Sequence, residues 1–212
     1  MRIGIVTEGE SEYDTLADLF HRINPSHFIV GSTLTKAQPT APLPVIAREL
    51  KRDIRVLSAE KVDLIVILLD RERLDDCPGD HAAKIRQQVL GDCVAGDITV
   101  EVIIKNSKFE NWLISDLNAL RAHPTLFTVS RASVNAVEPN KADNIDAEAI
   151  LKRCLRVPYR KRKHAGVILP MADPLCMALH SRSFRRLMRV LGHHAYRGRS
   201  SRLPAPHPAP HA

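Results

Sequence analysis

The chain lacks the features that define several protein classes. Aromatic residues make up only 4% of its 212 residues, so its core must be mainly aliphatic. No apolar run approaches the roughly 20 residues that a transmembrane helix needs. The four cysteines are scattered, without a C-x-x-C pair, which argues against a disulfide framework or a structural zinc site. A G-x-x-x-x-G-K phosphate loop is also missing, so we do not expect this chain to hydrolyse ATP.

The first residues enter an apolar strand directly, without the charged and apolar regions of a signal peptide. Unpaired cysteines are typical of a reducing compartment. Together these two features predict a soluble cytoplasmic protein that does not associate with membranes.

Acidic residues are scarce in the C-terminal third, where positive charge accumulates. Residues 151–212 contain 14 lysines and arginines but a single acid, Asp173, whereas the first 150 residues are net acidic. This asymmetry favours nucleic acid as a partner, although a solvated tail without a partner is the alternative. The candidate phosphate-binding residues are Arg160, Lys161, Arg162, Lys163, Arg182, Arg185, Arg186 and Arg189.

Apolar runs and helical periodicity alternate along the first 125 residues. Strands are predicted at 2–7, 28–34, 62–69 and 98–105, and helices near 11–23, 45–59, 78–94 and 110–122. This alternation predicts an α/β fold: a Rossmann-like parallel sheet of about four strands with helices on both faces. The only tryptophan, Trp112, lies on an amphipathic helix and is expected in the core.

The alternation of predicted strands and helices is no longer clear after residue 125. We therefore divide the chain into an α/β domain (1–125), a basic and mostly helical extension packed on it (126–191), and a proline-rich tail (192–212) expected to be disordered. Within the extension, Arg182, Arg185 and Arg189 recur at helical spacing and should form one exposed face. That arrangement leaves the apolar residues Phe184, Leu187, Met188 and Leu191 for the core.

Acidic residues follow three of the predicted strands. Glu8 and Glu12 come after the first strand, Asp70 and Glu72 after the third, and Glu110 after the fourth. The carboxyl ends of parallel strands converge on one crevice, where several carboxylates are costly to keep ionised without a cation. Mg²⁺ or Mn²⁺ is the natural occupant of an oxygen-rich site. Each acid alone is more simply explained as a helix cap, but three clusters together favour a functional site.

Two of these acidic motifs are similar to motifs of a known domain. Glu8-Gly9-x-x-Glu12 and Asp70-x-Glu72 are similar to the signature of the Toprim domain, found in topoisomerases, primases and OLD-type nucleases. The string Lys108-Phe109-Glu110-Asn111-Trp112-Leu113-Ile114-Ser115-Asp116, with Asn140-Lys141 and Ser181-x-Ser183-Phe184 downstream, resembles the bacterial family called domain of unknown function 4276. Members of that family look like small Toprim-like proteins, some encoded beside ATPases in phage-defence operons. The resemblance spans roughly residues 2–191.

The resemblance implies roles for individual residues. Glu8 would be a metal ligand or general acid/base, and Asp70 a metal ligand. Glu12 matches an added acid of OLD-type nucleases, and Lys141 the basic residue that stabilises the transition state. Ser107 and Glu110 would complete a second metal site. Glu72 occupies the position where the Toprim signature has aspartate, so the side chain there is longer by one methylene.

Two classes of function follow from these patterns. The first is Mg²⁺- or Mn²⁺-dependent hydrolysis of nucleic-acid phosphodiesters, in a phage-defence system with a partner ATPase. The second is a non-catalytic Toprim-like subunit that regulates or docks onto a partner. The substitution of Glu72 for aspartate favours the second, and the presence of Glu8, Asp70 and Glu110 together favours the first.

Overall fold

The fold is built on a four-stranded parallel sheet. The computed structural model describes residues 1–71, 76–93 and 97–197. The strands are β1 (Arg2–Thr7), β2 (Phe28–Leu34), β3 (Leu64–Asp70) and β4 (Thr99–Lys105). They are ordered β2-β1-β3-β4, and every neighbouring pair is parallel. The prediction of an α/β fold with a parallel sheet is confirmed, with strand bounds within about two residues of those read from the sequence.

Helices connect the strands and form the region that follows them. In the first half these are α1 (Glu10–Ile23), α2 (Leu43–Ala59), α3 (Pro78–Asp92), α4 (Phe109–Leu113) and α5 (Leu117–Arg121). The second half contains α6 (Arg131–Val137), α7 (Ala147–Cys154), α8 (Lys161–Ile168), α9 (Pro174–His180) and α10 (Arg182–Val190). Short 3₁₀ segments lie at Ala142–Asn144, Leu169–Met171 and His194–Tyr196.

The sheet separates two hydrophobic layers. On one face, α2 and α3 cover alternate residues of the central strands, such as Ile65 and Ile67. On the other face, α1 and the C-terminal helices cover Val66 and Leu68. Both faces of β3 are therefore buried, which explains its nearly continuous apolar sequence.

The C-terminal extension shares its core with the sheet. Trp112 is fully buried, as expected, and its ring meets that of Phe184 edge-on at 5.2 Å between centroids. Its Nε1 donates a hydrogen bond to Ser183 Oγ at 2.8 Å. Residues on either side of the expected boundary near 125 thus belong to one hydrophobic cluster.

Several local expectations differ from the structure. The single helix predicted at 110–122 is two helices, because the Asp116 side chain caps α5 by accepting from the Asn118 N–H. Helices α6 and α8 lie within the extension that was expected to be mostly helical, at positions where no individual helix was predicted. The segment His194–Tyr196, expected within a disordered tail, forms a 3₁₀ turn with Tyr196 buried. The rest of the predicted tail, from residue 198, lies outside the described residues.

Across the described parts of the chain, none of the helices combines the length and the apolar character required to cross a bilayer.

Candidate functional site

The strand order creates a crevice at the carboxyl ends of β1 and β3. These strands are neighbours in the sheet, but the helices that follow them, α1 and α3, pack on opposite faces. Such a switch point is where open α/β sheets bind their ligands, because the diverging connections leave a gap above the strand ends. Glu8 follows the last residue of β1, and Asp70 is the last residue of β3.

Four side chains meet at this point and form what we call the carboxylate–lysine cluster: Glu8, Glu12, Asp70 and Lys105. The Asp70 backbone N–H donates to Glu8 Oε2 at 2.6 Å. Lys105 Nζ lies 2.7 Å from Glu12 Oε1 and 3.0 Å from Asp70 Oδ1. The predicted convergence of Glu8, Glu12 and Asp70 is therefore present, with a lysine among them.

Burial controls the electrostatics of this cluster. It raises the pKa of Glu8 to about 7, against the lowering effects of the Asp70 N–H and the Lys105 charge. Burial also raises the pKa of Glu12. For Lys105, burial alone would lower the pKa, but the charges of Asp70, Glu12 and Glu8 outweigh it and leave the pKa above its ordinary value. The lysine therefore remains an ammonium ion inside the protein.

Glu110 is placed in a second, adjacent cluster. Its carboxylate is almost fully buried and accepts a hydrogen bond from Tyr159 OH at 3.1 Å. Lys161 Nζ lies 3.4 Å from the other carboxylate oxygen. Burial, followed by the Glu110 charge, raises the pKa of Tyr159, so the phenol keeps the proton that it donates.

The other residues predicted for catalysis and metal binding have different surroundings. Ser107, with a left-handed φ of 69°, lines an open groove, whereas Glu110 is turned towards Tyr159 and Lys161. Lys141 is exposed and donates to the Asn135 carbonyl at 2.8 Å, so no described contact joins it to the carboxylates. Glu72 lies outside the described residues. Within the part of the chain that the structure describes, no group of three or more His, Cys, Asp and Glu side chains is arranged to hold a metal ion.

A long groove, which we call the strand-exit groove, begins one residue beyond the cluster. Its wider part has a volume of about 840 Å³ and its narrower part about 390 Å³. The two parts share Arg71, which follows Asp70, and Asn106, which follows Lys105. They also share Asp143 and Asn144, so they form one continuous surface along the C-terminal extension.

Three predicted phosphate-binding arginines line the narrower part of this groove: Arg182, Arg186 and Arg189. Their guanidinium groups make no hydrogen bond or ion pair with any described residue. Burial lowers the pKa of Arg186; the charge of nearby Glu101 raises it, and the charges of Arg189 and Arg86 lower it. A half-buried guanidinium that makes no ion pair and has two other arginines nearby favours an anionic ligand.

The prediction that Arg185 shares this exposed face is wrong. Arg185 is 3% exposed, and its guanidinium donates to the Ala178 carbonyl and to Asn140 Oδ1, at 2.6 and 2.8 Å. Helical spacing places it near Arg182 and Arg189, but α9 and the loop before residue 142 cover that side of α10. The predicted burial of Phe184, Leu187, Met188 and Leu191 is confirmed.

The basic run at 160–163 contacts the acidic start of α1. Arg162 forms ion pairs with Asp14 and Glu10, and Lys161 is paired with Glu110. Arg160 and Lys163 are exposed. Two of the four candidate phosphate-binding residues in this run are thus already neutralised within the chain.

Several residues of the sequence strings noted above have structural roles. Asn111 donates to the carbonyls of Ala142 and Ile145, at 2.7 and 2.9 Å, which fixes the loop that borders the groove. Ser181 and Ser183 donate to the buried carboxylate of Asp143. These hydrogen bonds attach the C-terminal extension to α4 and so give the groove a rigid wall.

Sequence reasoning missed Lys105 and Tyr159 as members of the site. The available signal for Lys105 was its position as the last residue of an apolar strand, where a charge is unexpected. In the parallel register Lys105 lies directly beside Asp70. Tyr159 had no such signal, because its partner Glu110 is 49 residues away in the sequence.

No curated protein and no solved structure significantly matches the chain. A sequence profile described as "Domain of unknown function (DUF4276)" matches residues 7–192, a range that includes the carboxylate–lysine cluster and most of the strand-exit groove. The chain therefore belongs to the DUF4276 family.

Proposed function

We propose that the chain hydrolyses phosphodiester bonds of nucleic acid with the help of a divalent cation. The observation that carries the proposal is the meeting of Glu8 and Asp70 at the β1–β3 switch point. Both side chains are partly exposed there, so a ligand in the crevice can reach them.

The donor set fits a hard cation such as Mg²⁺ or Mn²⁺. Glu12 and Asp70 contact the Lys105 ammonium, and Glu8 accepts the Asp70 N–H beside them, so three carboxyl groups share one buried cation. Magnesium in proteins is commonly held by only one or two carboxylates together with water and substrate phosphate, so Glu8 and Asp70 would suffice. When bound, the cation would lower the pKa of a coordinated water and stabilise the charge that develops on the phosphate.

The chain's own residues orient these ligands. The Asp70 N–H donates to Glu8 Oε2, and the Lys105 ammonium lies 3.0 Å from Asp70 Oδ1, so each carboxylate has an internal contact that favours one orientation. Fixed carboxylates reduce the reorganisation needed when substrate binds. Glu12 lies behind them and is fully enclosed, where it neutralises Lys105.

The strand-exit groove supplies the surface for the nucleic-acid backbone. Arg182, Arg186 and Arg189 offer unpaired guanidinium groups to phosphates, and the asparagines of the groove offer amides. Such contacts do not read the base sequence, and they weaken strongly as salt concentration rises. The groove starts beside Asp70, which suits a strand that continues from the crevice along the extension.

One observation favours the second candidate, a non-catalytic subunit that binds a partner such as an ATPase. Lys105 already neutralises part of the carboxylate charge without a metal ion. Under this alternative the cluster would be a structural ion-pair network, and the groove would bind its partner without cleavage.

The test is cleavage of supercoiled plasmid and of fluorescent single-stranded oligonucleotides with Mg²⁺ or Mn²⁺. We expect cleavage by the wild-type chain, and a loss of at least about 100-fold in Asp70→Asn and Glu8→Gln, since each removes a cation ligand. Asp18→Asn is the matched control, because Asp18 is an exposed acid on the surface of α1. If wild type and Asp70→Asn are equally inactive while wild type still binds DNA, the catalytic proposal is overturned and a non-catalytic subunit is favoured.

A further inference from the structure

Lys105 occupies an unusual position for a charged residue. It ends β4 beside Asp70 in the sheet register, and its side chain is completely buried. Its Nζ contacts two carboxylates that come from separate elements: Glu12 on α1 and Asp70 on β3. A cation that bridges two carboxylates at the end of a parallel sheet is placed as a metal ion would be.

The two partners of Lys105 differ in accessibility. Glu12 is 0% exposed, so solvent and substrate do not reach it. Its second oxygen, Oε2, is buried and has no hydrogen-bond partner among the described residues. Asp70 retains 15% of its side-chain surface, and Glu8 is also partly exposed.

This difference divides the carboxylates by role. Glu12 can serve only an internal cation, whereas Glu8 and Asp70 can face both the interior and the crevice. A second divalent ion that used Glu12 and Asp70 would need the space that the Lys105 ammonium fills. Two like-charged cations cannot share one such position, because their repulsion at short distance is large.

We propose that Lys105 is a built-in cation that takes the place of a second divalent ion, so that the cluster binds one divalent ion, on Glu8 and Asp70. The inference rests on the proposed function, since it assigns the stoichiometry of the same site. Under this proposal Glu12 is a positioning residue that holds Lys105 and is not a metal ligand.

The experiment is a Mn²⁺ titration of the full chain followed by electron paramagnetic resonance of the free ion. We expect one bound Mn²⁺ per wild-type chain. Glu8→Gln and Asp70→Asn should each weaken binding at least 10-fold. Glu12→Gln should keep the affinity within about threefold, because the amide oxygen still faces Lys105 and the bound ion does not use Glu12.

Lys105→Met provides the second measurement. Removal of the ammonium leaves Glu12 and Asp70 without a cation, so this variant should bind two Mn²⁺ per chain. The matched control is Lys152→Met, which removes a lysine at the same 2.7 Å from a glutamate on the exposed surface and should still bind one. If Lys105→Met does not fold, the wild-type stoichiometry and the Glu12→Gln affinity decide the question.

The outcomes distinguish a failure of the role assigned to Lys105 from a failure of the proposed function. Two Mn²⁺ ions on wild type, a 10-fold loss in Glu12→Gln, or a single ion on folded Lys105→Met each overturns the role of Lys105 and leaves the proposed function standing. No Mn²⁺ binding to wild type overturns the cation-dependent function, and with it the inference.

Discussion

The buried lysine is the feature with the largest expected effect on stability. Lys105→Met keeps the length and apolar stem of the side chain and removes only the ammonium group. In the absence of divalent cations, this substitution leaves Glu12 inside the protein without its partner at 2.7 Å. The perturbation therefore measures mainly the cost of leaving the buried Glu12 carboxylate unpaired, with a smaller part from Asp70, whose side chain is partly exposed to water.

The expected magnitude follows from the burial of both partners. Breaking a buried ion pair by removal of one partner costs about 3–5 kcal/mol, because the remaining charge keeps its desolvation penalty. Small domains are stable by about 5–15 kcal/mol in total, so this loss is a large fraction of the stability. The double variant Lys105→Met/Glu12→Gln removes the unpaired charge as well and should recover part of the loss.

Urea unfolding in EDTA measures both quantities. Trp112 is the only tryptophan and is fully buried beside Phe184, so its fluorescence reports global unfolding. Lys152→Met is the matched control, because its glutamate contact is exposed to solvent, which screens the interaction. The unfolding free energy of this control should stay close to that of wild type.

Two results would refute the reasoning. One is a Lys105→Met variant as stable as Lys152→Met, which would mean that the ion pair between Lys105 and Glu12 does not contribute to the unfolding free energy. The other is a double variant whose destabilisation is the full sum of the two single changes, because residues in direct contact should show a coupling energy.

Two further predictions concern pH and salt. Burial lowers the pKa of His164, so this residue contributes fully to stability above about pH 6.5, the ordinary pKa of histidine, and its contribution falls as the pH drops below that value. His164→Gln should remove this contribution and change the slope of unfolding free energy against pH below 6.5, whereas the exposed control His21→Gln should leave the slope unchanged. For nucleic acid, Arg186→Gln should reduce the slope of log affinity against log salt by about 1, because one phosphate contact is lost. Arg48→Gln should leave the slope unchanged, because Arg48 is exposed on α2, is already paired with Glu49 and does not line the groove.

Secondary structure could be predicted closely where local pattern dominates. The strand β3 and helix α1 lie within about two residues of their predicted bounds, because continuous apolar runs and helical periodicity are local properties of the chain. The breaks between helices were less predictable. Asp116 interrupts the helix expected at 110–122 because it also accepts the N–H of Asp173, a partner 57 residues away.

The same distinction applies to the site. The sequence alone indicated that Glu8, Glu12 and Asp70 should meet, since acids at the ends of parallel strands have only one crevice to share. Tertiary structure decided that Lys105 joins them, that Glu110 is held by Tyr159, and that buried Arg185 is unavailable to a phosphate. Each of these outcomes depends on contacts between residues far apart in the chain.

What the sequence determined was therefore the fold class, the order of the elements and the edge of the sheet where the acids collect. What only the folded chain decided was which charges are neutralised internally and which remain for a ligand. The physical reason is that periodicity reports the local geometry of one segment, whereas the pairing of charges depends on burial and on distances set by packing between segments.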